Sequence, residues 1–153
     1  MTVHSIRQHL DVYAPRRALE QLGKELGFRR NDWQELAIVV SELCSNIIKY
    51  GIRGSIEIEP VRDAVHGVGI AIVASDVGPP FRDFGVALQD GCDDGGPIDP
   101  ATLLRRGGLG IGLGAVVRLS DSLEIRQTPD GKAIRVVRYL VRPRTVRKSG
   151  IYF

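Results

Sequence analysis

Apolar residues along the chain fall into runs with two different periods. Trp33, Leu36, Ala37, Val40, Leu43, Cys44, Ile47 and Ile48 recur at helical spacing and predict a long helix reaching about Tyr50. Asp32, followed three residues later by Glu35, reads as a capping box at its start, and Gly51 reads as its stop. Upstream, Ala18, Leu19, Leu22 and Leu26 predict a shorter helix, with Pro15 in its first turn and Gly27 at its end. "VHSIRQHLDVY" partly alternates and suggests an edge strand. "GSIEIEPV" alternates cleanly, with Ile56 and Ile58 on one face and Glu57 and Glu59 on the other. "GVGIAIVASD" is almost wholly apolar, the mark of a strand covered on both faces.

Beyond Val77 the periodicity stops. The stretch to about Gly107 is rich in Gly, Pro and Asp, and a loop of that length inside a domain points to function. "LGIGLGAVVRL" then opens a helix from glycines. "SLEIRQT" and "AIRVVRYLV" form a hairpin across "PDGK", with Lys132 in the turn. Two neighbouring helices beside hairpin-linked strands predict an α+β fold, a sheet carrying its helices on one face.

Composition adds bounds. At 153 residues, 43% hydrophobic and 25% charged, the chain suits one soluble domain spanning 1–153, ending in a basic tail over 142–153. The net charge of +3 owes much to Arg142, Arg144, Arg147 and Lys148. With few, scattered aromatics, that tail reads as solvated and frayed, not as a nucleic-acid surface. No apolar run is long enough to span a bilayer, and the first residues lack an export-signal core, so no membrane is expected. Cys44 and Cys92 make no disulfide framework, and His4, His9 and His66 have no zinc-ligand spacing. Cys44 reads as a small buried hydrophobe, and the whole as a cytoplasmic protein.

Three features could carry chemistry. Glu42 and Asn46 lie one turn apart in the long helix. With Leu36 at zero, the core stripe centres near about 40°, while Glu42, Asn46 and Lys49 fall near about 240°, 280° and 220°. Spacing alone makes this a solvated face; Ile38 and Val39 bracket it and suggest a pocket wall instead. The second feature is the cluster Gly107, Gly108, Gly110, Gly112 and Gly114, which bares backbone N–H groups at a helix start, where a phosphate can sit. "GIGLGA" within it also fits a dinucleotide pattern, but neither the strand before it nor the surrounding βαβ unit is present, and no P-loop occurs. Third, Asp76 ends an apolar strand just before Val77 and Gly78. A buried carboxylate needs a partner: either the following turn, or an amino group such as that of adenine.

Together, "ExxxN" on a helix, "DxG" after a strand, a long intervening lid and "GGLGIGL" opening a helix resemble the N, G1 and G2 boxes of the GHKL ATPase superfamily. "ELGF", "SELCSNIIKYG" and "GGLGIGLGAVVRLSDSLEI" resemble its RsbT/RsbW type, the serine kinases and anti-sigma factors of partner-switching pathways. The resemblance covers roughly residues 10–140. It implies a Bergerat-type two-layer α/β sandwich with a mostly antiparallel mixed sheet, and binding of ATP with Mg²⁺. Asn46 would hold the Mg²⁺, and Glu42 would be the general base. Asp76 would bind the adenine amine, with Gly78 letting the base approach. Gly108, Leu109, Gly110, Ile111, Gly112 and Leu113 would form the phosphate turn, and residues 81–106 the lid, mobile over 85–106 without nucleotide.

The implied activity is ATP-dependent phosphorylation of a serine or threonine on a STAS-domain antagonist protein, with a sigma factor or a PP2C-type phosphatase as further partners. The chain departs from the family pattern at Pro80, where a second glycine is usual, and at Tyr50, where a histidine is common. A non-catalytic nucleotide-binding module is the rival reading.

Overall fold

The computed structural model describes residues 1–78, 92–93, 96–97, 112–143 and 151–152. The chain begins with β1 (Thr2–Ile6), a short 3₁₀ turn (His9–Val12), α1 (Tyr13–Leu26) and α2 (Arg30–Tyr50). It continues through β2 (Gly54–Asp63), β3 (Gly67–Asp76), β4 (Cys92–Asp93) and β5 (Gly96–Pro97). Last come α3 (Gly112–Leu119), β6 (Ser122–Thr128), β7 (Gly131–Tyr139) and β8 (Ile151–Tyr152).

The main sheet has the order β1-β2-β3-β7-β6-β8. Every neighbouring pair is antiparallel except β6 and β8, so the sheet is mixed and mostly antiparallel. The wholly apolar strand, β3, lies inside it between β2 and β7, as its composition requires. Strands β4 and β5 pair only with each other, giving the Gly/Pro-rich segment a short ladder that its sequence does not suggest. The rest of that segment, including most of the expected lid and Pro80, lies outside the described residues.

One sheet face is apolar and carries the helices. Ile56 and Ile58 of β2, Ile70, Ile72 and Ala74 of β3, Leu123 and Ile125 of β6, and Ile134 and Val136 of β7 are all buried in one cluster. Leu36, Val40, Leu43 and Ile47 of α2, Leu19 of α1 and Val116 of α3 pack into it. The result is a two-layer α+β sandwich. Cys44 sits within the core, and burial pushes its thiol up to about 12, in keeping with a structural side chain.

Three local expectations need correction. Asp32 and Glu35 do not build a capping box: α2 begins at Arg30, and both carboxylates bind Arg138 of β7, at 2.9 and 2.8 Å. The buried Arg138 guanidinium gives each carboxylate a charge-assisted hydrogen bond, stronger than one from a lone backbone N–H. Lys132 is a strand residue, not part of the turn; the loop between Thr128 and Gly131 is just Pro129 and Asp130. The basic tail is not wholly frayed, because Arg142 donates to Asp121 at 2.8 Å and Ile151–Tyr152 adds a strand beside β6. Gly27, by contrast, ends α1 in the left-handed conformation (φ 84°) that suits glycine, as expected. Among the described residues, no helix is long and apolar enough to cross a membrane.

Candidate nucleotide site

Glu42 and Asn46 are not on a wet surface. They are 5% and 8% exposed, and Val39 beside them is fully buried. The solvated-face reading is therefore wrong: the fold encloses both side chains. Residues 42, 46 and 50 recur every four positions along one line of α2, each step advancing about 6 Å. The line ends at Tyr50, whose carbonyl lies against Gly78 just past β3.

Asp76 is the focus of that end. Three glycines surround it, each where a side chain would collide. A Cβ on Gly51 would lie 2.9 Å from the Asp76 Cβ, one on Gly78 2.5 Å from the Tyr50 carbonyl oxygen, and one on Gly131 2.5 Å from the Asp76 carbonyl oxygen. The end of α2, the turn after β3 and the β6–β7 hairpin converge on Asp76 because each brings a residue without a side chain. A larger residue 78 would strike the Tyr50 carbonyl oxygen and, at 2.7 Å, the Asp76 Oδ1. Gly78 thus first serves to close the turn, and its N–H donates to the Asp76 carboxylate.

The main partner of Asp76 is a residue that the motif reading passes over. Lys132 stands directly opposite it in the β3–β7 register and donates from Nζ to Oδ1 at 2.9 Å. The side chains are 1% and 3% exposed, so this is a buried ion pair. Burial pushes the Asp76 carboxyl above its ordinary range; the Lys132 ammonium and the Gly78 N–H pull the other way. The sequence does contain a signal for Lys132. It is in phase with Ile134 and Val136, so a cation falls on the apolar face of its strand, as Arg138 does at the other end.

The third expected element is partly described. Gly112 opens α3, and Leu113 is buried in the core cluster that also holds α2 residues. Gly108, Leu109, Gly110 and Ile111 lie outside the described residues. The structure thus places Asp76 and Gly78 against the C-terminal end of α2, the helix whose Glu42 and Asn46 are buried. The arrangement offers a buried carboxylate and carboxamide on one wall, and an oriented acceptor at the strand end.

Residues 8–138 match the family described as the histidine kinase-like ATPase domain. The chain belongs to that family. Within it, the chain is 33% identical over 131 residues to the serine/threonine-protein kinase RsbT of Bacillus subtilis (strain 168), covering 85% of this chain and 90% of that one. Its fold is like that in the crystal structure of the SiaB–SiaC complex from Pseudomonas aeruginosa. The TM-score is 0.56 at 16% identity, over 90% of this chain and 89% of that one. At that identity the likeness concerns the fold alone. As a histidine kinase-like ATPase domain, the chain is an ATP-binding module.

Proposed function

We infer that this histidine kinase-like domain is an ATP-dependent serine/threonine-protein kinase acting by partner switching, and that it phosphorylates a hydroxyl on a STAS-type antagonist domain. The observation that carries this is the burial of Glu42 and Asn46 on a face of α2 that leads to Asp76. A binding module has no need of a buried carboxylate where the reacting hydroxyl would lie. The relationship to RsbT supports the same reading.

Each residue then has a role. Asp76 accepts from the exocyclic amine of adenine, oriented by Lys132 and the Gly78 N–H. The turn at Gly108–Gly112 presents backbone N–H groups to the phosphates. Asn46 offers its carboxamide oxygen to Mg²⁺, a hard cation that prefers oxygen. The donor set fits that ion: among the described residues no cluster of three or more His, Cys, Asp or Glu could cage a metal, and Mg²⁺ needs none when substrate phosphates supply ligands. When bound, the ion neutralises charge on the phosphates. Glu42 accepts the proton of the attacking hydroxyl or orients it, which suffices because phosphoryl transfer depends mainly on positioning. A sigma factor or a PP2C-type phosphatase would be a further partner, and the cytoplasm the setting.

The test is phosphate transfer from Mg²⁺-ATP to a purified STAS-domain protein of the same organism. Wild type should transfer. Glu42→Gln should still bind ATP and partner but lose about 10²–10⁴ in rate, the usual cost of a missing general base. Transfer by Glu42→Gln within two-fold of wild type would remove Glu42 from the chemistry. Absence of transfer in wild type would leave a non-catalytic binding module.

A further inference from the structure

The helix-bearing face of the sheet is apolar in its middle rows and charged at both ends, at Arg138 opposite Ile70 and in the row at the far end. There, the cross-strand register places Gly54, Asp76, Lys132 and Gln127 side by side across β2, β3, β7 and β6. A charged pair in that row, 1% and 3% exposed, is costly to bury. We propose that Lys132 is a positioning residue of the nucleotide site: its ammonium holds Asp76 as an ionised, oriented acceptor and thereby decides which purine edge the site admits. This rests on the reading of Asp76 as the acceptor for the base.

An ionised carboxylate only accepts hydrogen bonds, whereas a protonated one also donates. Adenine presents an N–H donor at its 6-position, so it matches the ionised form. A 6-oxopurine presents a carbonyl oxygen there, which an ionised carboxylate repels and a protonated one can bond. The purine preference therefore follows the protonation of Asp76. Among the described residues, Lys132 of β7 is the charged side chain facing that carboxylate, and the other described elements packed on Asp76 approach with backbone: Gly51 and the Tyr50 carbonyl from the end of α2, the Gly78 N–H from the turn, and Gly131 from the hairpin. Gly54, its neighbour on β2, has no side chain. Without Lys132, a carboxylate this enclosed would neutralise by taking up a proton.

The experiment measures binding of ATP and inosine triphosphate, each with Mg²⁺, by calorimetry near about pH 6 and pH 8.5. These ligands share ribose and phosphates and differ at the 6-position. Wild type should prefer ATP by roughly ten-fold or more at both values, the worth of one charge-assisted hydrogen bond. Lys132→Met should bring the ratio toward one at the lower pH and recover part of it at the higher. Lys132→Arg, which keeps a cation, should retain the preference. In an Asp76→Asn background, Lys132→Met should leave the ratio unchanged.

A folded Lys132→Met protein with the wild-type ratio at both pH values overturns the proposal. So does a ratio near one in folded Lys132→Arg, or an equal loss in the Asp76→Asn background. If Asp76→Asn collapses the ratio but Lys132→Met does not, only this inference fails. If Asp76→Asn changes neither affinity nor ratio, the assignment of Asp76 fails and takes this inference with it.

Discussion

Lys132 and Arg138 occupy opposite ends of one face of β7, with Ile134 and Val136 between them, and both cations are buried. Arg138 sits near the start of α2, where it donates to Glu35, to Asp32 and to the Leu119 carbonyl at 2.8–2.9 Å. Its two carboxylate partners are 29% and 40% exposed. The planar guanidinium fits this divided duty, holding α2 and the end of α3 against the sheet. At the other end of the face, Lys132 meets the Asp76 carboxylate, and both side chains are almost wholly enclosed.

The difference lies in where the carboxylates stand. When they keep their water, an ion pair avoids most of the desolvation cost and can act as a structural pin. When both partners are enclosed, the Coulombic gain roughly cancels the desolvation cost, and a well-packed apolar pair would serve stability as well or better. Arg138 is explained by the fold it secures. Asp76–Lys132, enclosed among three close-packed glycines, is not, and its place in the proposed nucleotide site would account for it.

The sharpest way to break this contrast is to remove one partner at each end. Asp76→Asn removes the carboxylate that the buried Lys132 ammonium meets and should cost about 3–5 kcal/mol in the absence of nucleotide, read from urea unfolding. It should also weaken ATP binding roughly ten- to a hundred-fold, through loss of a charge-assisted bond. Asp76→Asn with Lys132→Met should recover most of the stability but none of the affinity. A single variant losing under 1 kcal/mol would mean that the pair is not as enclosed as its exposure indicates.

Arg138→Met is the matching experiment. It keeps an apolar stem and leaves Asp32 and Glu35 free to turn toward water, so the loss should be smaller, about 2 kcal/mol. ATP affinity should stay within two-fold of wild type. A ten-fold loss of affinity would show that the two ends of β7 are coupled and that the division between pin and site is false.

How far the sequence reveals this contrast depends on the residue. The elements were legible because their periods are strong: β3 and β6 run over the very residues whose pattern marks them, and α2 carries its stripe from end to end. The site was legible as motifs at Glu42, Asn46 and Asp76, but not as geometry. The angular argument placed Glu42 and Asn46 off the core stripe of α2 but could not show that both are buried, because a helical wheel knows nothing of what the rest of the fold packs against it. Asp32 and Glu35 misled for a related reason: a local cap can be read from sequence, whereas a partner more than a hundred residues away on β7 cannot. Lys132 was missed because "PDGK" reads as turn chemistry, which hid a lysine in phase with two apolar residues.

The two ends should also differ in their response to pH. The Asp76 carboxyl is raised above its ordinary 3.8, so the folded state binds that proton more tightly than the unfolded chain does. Its contribution to stability is therefore largest at low pH and falls as pH rises from that ordinary value through the raised one. Asp11, Asp63 and Glu20 are lowered and act with the opposite sign. The informative quantity is thus the difference in urea midpoint between wild type and Asp76→Asn/Lys132→Met. That difference should move against wild type as pH rises across the window. A flat difference would mean that Asp76 titrates alike in both states, and the burial argument would fail.

The smallest effect expected is at Glu35. Its carboxylate is the more exposed of the two that Arg138 holds, and a partly exposed pair contributes about 0.2–1 kcal/mol. Glu35→Gln keeps the length and one hydrogen-bond acceptor, so the loss should fall within that range. It should shrink further in high salt, where exposed charges are screened over a few ångströms. The stability lost in Asp76→Asn should barely respond to salt, because ions cannot reach a pair 1% and 3% exposed. Measuring both variants at low and high salt separates a solvent-facing pin from an enclosed pair without reference to any ligand. Equal salt sensitivity at the two ends would remove the physical basis for assigning them different roles.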